Sequence, residues 1–78
     1  MEKPKLNENY WYIEVNTDDT WAISKRVNEM TDIDKYNFAC ENFYLSEDEA
    51  AASAFEMLMK LTLYPAEKVG EMIAAKMR

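Results

Sequence analysis

The segment Glu41-Asn42-Phe43-Tyr44-Leu45-Ser46-Glu47-Asp48-Glu49-Ala50 constrains this chain more than any other. An aromatic, extended stretch runs there directly into a helix start. The Ser46 hydroxyl suits a helix N-cap, where it accepts a bond from a first-turn N–H, and Glu49 stands where a reciprocal capping partner belongs. Glu47, Asp48 and Glu49 complement the positive end of the helix dipole. Ala50-Ala51-Ala52 then add high helix propensity. These residues predict a long helix from Glu47 to about Leu63. Ala51, Ala54, Phe55, Leu58, Leu61 and Thr62 form its apolar face, broad enough to pack on a sheet.

A sheet is available upstream. Tyr10 to Val15 alternates as a strand, with Trp11, Ile13 and Val15 on one side and Tyr10, Tyr12 and Glu14 on the other. Asn16-Thr17-Asp18-Asp19 supplies turn residues, and a second strand follows from Thr20 to about Lys25 with Trp21 and Ile23 on one face. The two runs make an antiparallel hairpin, and Phe43 to Leu45 leaves room for a third edge strand. Thr31-Asp32-Ile33-Asp34 resembles a cap with acids in the first turn. A short helix from Asp32 to about Glu41 is expected to follow, with Asn42 as a left-handed stop. After Tyr64, Pro65 opens a last helix to about Lys76, striped by Val69, Met72, Ile73 and Met77. The expected architecture is α+β: a hairpin, with two or three strands, packed on a long helix, plus a short helix and a C-terminal helix. Residues 1–9 read as a polar arm and 10–78 as one domain.

The side-chain inventory argues against catalysis. The chain has no histidine, the commonest general base and metal ligand, and a single glycine, so no phosphate-cradling loop. Cys40 has no histidine to activate it and reads as a small buried hydrophobe in a reducing compartment. Asp32-x-Asp34 lacks the glycine and the distal glutamate of a calcium loop. No enzyme activity, metal or cofactor is expected. No apolar run approaches the roughly 20 residues of a membrane span, and the N-terminus lacks the apolar core of a secretory signal. The expected compartment is the cytoplasm.

Charge points to a partner. The net charge is −6, and residues 14–56 hold eleven acids against Lys25, Arg26 and Lys35. Such a chain repels nucleic acid directly, because phosphate binding needs basic groups. It is suited to a basic protein, including one that normally binds DNA. Asp18, Asp19, Asp32, Asp34, Glu41, Glu47 and Asp48 are the candidate residues of one acidic face; the plainer reading is that they solvate the surface. Tyr10 and Tyr12 are candidate interface anchors, with burial under the arm or the last helix as the alternative. Met57-Leu58-Met59, with Met72 and Met77, reads as core or as the seam of a homodimer.

The order Tyr10-x-Tyr12-Ile13, Trp21, Asp34 and then Asn42 through Ala50 resembles small uncharacterised proteins of bacterial phages and other mobile elements. In those, an aromatic hairpin strand and a tryptophan precede a short helix ending in Gly-Asn, then an aromatic, a Ser/Thr cap and a Glu-Glu-Ala helix. The likeness spans residues 10–55, and Glu41 stands where the pattern has glycine. It implies a phage-type origin, a compact α+β fold and no catalytic residues. In general character the chain is also similar to anti-CRISPR proteins, many of which are small, acidic and poor in histidine. The functional expectation is a non-enzymatic inhibitor acting in the host cytoplasm, whose acidic face mimics nucleic acid to occupy a basic host protein. The alternative is a self-assembling structural module.

Overall fold

The computed structural model describes residues 2–76. Strands β1 (Asn9–Val15) and β2 (Trp21–Val27) form the expected antiparallel hairpin, with Ile13 opposite Ile23 and Trp11 opposite Lys25. Four helices follow: α1 (Asp32–Ala39), α2 (Glu47–Ala52), α3 (Ala54–Thr62) and α4 (Ala66–Lys76). The turn is built by its own side chains. Asp18 accepts from the Thr20 amide at 3.1 Å and hydroxyl at 2.6 Å, while Asp19 takes the left-handed conformation.

The hairpin is covered on both faces. Ile13 and Trp21 pack against Ala50, Ala54, Met57, Leu58, Val69 and Met72 of α2, α3 and α4, with Trp11, Val15 and Ile23 at the margin. On the other face, Tyr10, Phe38 and Phe43 form a smaller aromatic cluster beneath α1. Phe38 and Phe43 meet edge to face, their centroids 5.5 Å apart. Tyr10 is therefore buried, at 1% exposure, and is corrected from interface anchor to core residue. What packs on it is Phe38 of α1 and Phe43.

The expected long helix is two helices. It breaks at Ser53, whose N–H is shared between the Glu49 and Ala50 carbonyls, both at 3.2 Å, while its own carbonyl accepts the first bond of α3. The break sets the inward face. Ala50, Ala54, Met57 and Leu58 are buried, whereas Ala51 and Phe55 of the expected stripe face outward. Glu49 also differs in detail: its carboxylate accepts from the Leu45 amide at 3.1 Å, one residue before the cap. Ser46 itself caps as expected, accepting from the Glu49 amide.

No third strand forms among the described residues. Tyr44 makes a single bridge to Trp11: the Tyr44 amide donates to the Trp11 carbonyl at 2.8 Å and the Tyr44 carbonyl accepts from the Trp11 amide at 2.9 Å. Two residues back, the Asn42 side chain substitutes for a strand backbone. Its Oδ1 accepts from the Ile13 amide at 2.9 Å, and its Nδ2 donates to the Ile13 carbonyl at 2.8 Å. Asn42 is thereby spent on the sheet edge, and the left-handed residue ending α1 is Glu41, with φ of 59°. Its amide bonds Phe38 and the Asn42 amide bonds Asn37, the double closure usually built on glycine. Lys60 of α3 reaches the Cys40 carbonyl at 2.7 Å and satisfies the same helix end.

The arm is tied down. Buried Asn28 receives the Asn7 amide on its carbonyl and donates from its side chain to the Pro4 carbonyl at 2.9 Å. At the other end, Leu63 closes α3 in a left-handed conformation and α4 begins after Pro65. Val69 and Met72 are buried and Ile73 half-buried; Met77 of the expected stripe lies outside the described residues.

Candidate functional site

Helix α1 carries its polarity inside out. Residues Asp34, Asn37 and Phe38, spaced to share one side of a helix, are its buried face. Ile33 and Tyr36 lie on the other side and are 54% and 58% exposed. Soluble helices ordinarily do the reverse, so both halves of this inversion need a physical cause.

The buried half has one. Asp34 is fully buried and accepts five hydrogen bonds outside α1's own ladder. They come from the Tyr10 hydroxyl at 2.6 Å, Arg26 Nε at 2.8 Å, the Glu29 and Thr31 amides at 3.0 and 3.1 Å, and the Thr31 hydroxyl at 2.8 Å. Asn37 donates to the Tyr10 hydroxyl at 3.1 Å and closes the network. Thr31 and Asp34 form a reciprocal capping box, so the same carboxylate starts the helix and anchors it to the hairpin. Burial pushes the Asp34 carboxyl up, but the bonds from Tyr10, Thr31 and the two amides outweigh it and hold it well below the usual carboxylate range. Burial and the bond to Asp34 push the Tyr10 phenol up to about 12. Among the described residues, no buried side-chain nitrogen or oxygen lacks a partner. The network is structural.

The exposed half has no such cause among the described residues. Between α1 and the hairpin lies an open groove of about 450 Å³, lined by Tyr12, Glu14, Ile33, Tyr36, Asn42 and Leu61 among others. Tyr12 is half-buried on the flank of the aromatic cluster and borders the groove. Of the two expected tyrosine anchors, Tyr12 alone reaches this surface. Arg26 also lines it, with its charge already paired to Asp34 at 2.8 Å.

The seven acids expected on one face are dispersed. Asp34 is internal, which corrects its assignment to the surface. Asp18 and Asp19 lie at the hairpin turn. There Asp19 accepts from the Tyr64 hydroxyl at 2.7 Å and pairs with Lys68 at 3.5 Å, and its bond to Tyr64 raises that phenol's pKa. Asp32 opens α1 on one side of the sheet and Glu47 and Asp48 open α2 on the other, while Glu41, after α1, borders a pocket shared with Ser53 and Glu56. A seven-residue hairpin spans roughly 20 Å, so the turn acids stand far from its open end. Of the exposed acids, Glu14 lines the groove, and Asp32 precedes Ile33 in sequence.

The Met-rich helices are also accounted for: Met57, Leu58 and Met72 are buried within the single chain. No three His, Cys, Asp or Glu side chains among the described residues group as metal ligands, and no helix is long and apolar enough to cross a membrane. Ile33 and Tyr36, apolar residues of the expected helix, thus lie on the face turned away from the core. The signal that separates the faces was present in Thr31-x-x-Asp34, because a capping box ties Asp34 to the helix entry. Compared with protein families, curated proteins and solved structures, the chain matches none.

Proposed function

We propose that this chain is a non-enzymatic binding protein that docks on a basic protein through the α1–hairpin surface. The observation that carries this reading is the inverted helix: Ile33 and Tyr36 stand in solvent at 54% and 58% exposure beside a groove bordered by Tyr12 and Leu61. Exposed aromatic and aliphatic anchors next to a concave, partly apolar surface are the usual centre of a protein interface. Glu14 and Asp32 supply an acidic rim, which favours a cationic partner and speeds its encounter. The phage-type resemblance makes a host nucleic-acid-binding protein the partner class, with inhibition following from occupation of its basic surface. This narrows the acidic mimic to one surface, with the apolar anchors supplying affinity and the acids supplying selectivity.

The test is capture from nuclease-treated bacterial lysate by the wild-type chain and by the Ile33→Asp and Tyr36→Ala variants. A nucleic-acid-binding protein is expected on the wild type, released by rising salt and lost on both variants. Their urea midpoints should stay near wild type, because neither side chain is buried. Capture that survives both substitutions would sink the α1 surface. A bait that retains only copies of itself would instead support the self-assembly reading.

A further inference from the structure

The two edges of the hairpin are treated differently. At the two ends of the ladder the Asn28 amide donates to the Glu8 carbonyl and the Asn16 amide to the Thr20 carbonyl, so by alternation Trp11 and Ile13 direct their backbone groups outward from β1. Tyr44 and the Asn42 side chain consume those groups. The same alternation turns Trp21, Ile23, Lys25 and Val27 outward from β2. Lys76 Nζ satisfies the Trp21 carbonyl at 2.9 Å. Beyond it, the amides and carbonyls of Ile23, Lys25 and Val27 have no partner among the described residues. No bulge interrupts the register there, and no proline stands in it.

Charge selects what fits. In a chain with 15 acids, Lys25 and Lys76 have no carboxylate within ion-pair distance among the described residues. Both ammonium groups rest over aromatic faces instead, Lys25 at 5.6 Å from the Trp11 centroid and Lys76 at 5.1 Å from that of Trp21. A second copy of this strand is disfavoured in three registers. Antiparallel self-pairing centred on Ser24, Lys25 or Arg26 sets Lys25 near its own copy or Arg26 against Arg26.

We propose that the free β2 edge, Ile23 to Val27, accepts an extended acidic peptide as an added strand. Its backbone bonds the outward groups of Ile23, Lys25 and Val27, and its carboxylates, at alternate positions, meet Lys25 and Lys76. Main-chain bonds would provide affinity, and the two lysines the preference for acidic side chains. This surface is separate from the α1 groove and carries Lys25 and Lys76.

The probe is a blocked octapeptide of alternating Glu and Val, titrated into isotope-labelled protein, with a Lys-Val peptide as the control. The Glu-Val peptide is expected to shift the Ile23, Lys25 and Val27 amides and slow their exchange with solvent, while the Lys-Val peptide leaves them unchanged. Lys25→Glu should weaken binding by about two- to fivefold, the scale of an exposed ion pair. Lys25→Pro should abolish it, and because that N–H faces outward the hairpin is expected to fold. Should the proline variant fail to fold, the Lys25→Glu result decides. Shifts confined to other residues, equal response to both peptides, or edge protection that grows with protein concentration alone would each overturn the proposal.

Discussion

The Asn42 side chain pairs with the backbone of Ile13 as a neighbouring strand would, accepting its amide at 2.9 Å and donating to its carbonyl at 2.8 Å. Both residues are buried, at about 1% exposure, so water cannot replace either bond. Asn42→Ala is expected to cost about 2–4 kcal/mol, because two buried backbone groups lose their partners together. Asn42→Asp should cost at least as much, since a carboxylate would then face the Ile13 carbonyl. Urea denaturation checks both: the midpoint should fall in each variant, and an unchanged midpoint would contradict the edge-closing role.

The Tyr10–Asp34 bond at 2.6 Å makes stability depend on pH at both extremes. The folded Asp34 carboxyl lies below its unfolded value of about 3.9, so its contribution is full above that pH and declines as acid protonates it in the native state. Tyr10 has the opposite sign. Its pKa rises from 10.0 to about 12 on folding, so its contribution is full below pH 10 and is lost between pH 10 and about 12. Tyr10→Phe should flatten the alkaline limb of a stability–pH curve and Asp34→Asn the acid limb.

Gly70 lies inside α4, and a Cβ added there would meet no atom within 4 Å. Glycine in a helix interior costs up to about 1 kcal/mol relative to alanine through the freedom of the unfolded chain. Gly70→Ala is therefore expected to raise the thermal midpoint by a few degrees. A fall would show that the helix does not have the room described.

Glu41 and Leu63 hold φ of 59° and 61°, a conformation in which a side chain crowds its own backbone. Leu63 is 87% exposed, so replacing it removes almost no buried surface. Glu41→Gly and Leu63→Gly should each stabilise the fold, by up to about 1 kcal/mol, and the two effects should add because they close different helices. Calorimetry of the single and double variants checks this.

Local chemistry made much of the fold legible. The alternation of Trp11, Ile13 and Val15, the turn residues after them, the Ser46 and Thr31 caps and the Pro65 helix start each act within a few residues. Their outcome depends little on what folds against them. The break at Ser53 was not legible, because it depends on how two helical segments seat against different parts of the hairpin. The third strand failed for a similar reason: a side-chain amide can replace a backbone pair only when its distant partner is already in place.

The candidate surface divides along the same line. Sequence alone determined that this is an α+β chain with a surplus of acids and without the histidine or glycine chemistry of common active sites. Only the tertiary structure decided that Tyr10 and Asp34 are internal, that Ile33 and Tyr36 are external, and that the acids are dispersed. The physical reason is a single carboxylate. With donors from β1, β2 and the turn before α1 converging on it, Asp34 is more stable bonded inside than hydrated outside. Burying it on one side of α1 leaves Ile33 and Tyr36 facing water on the other.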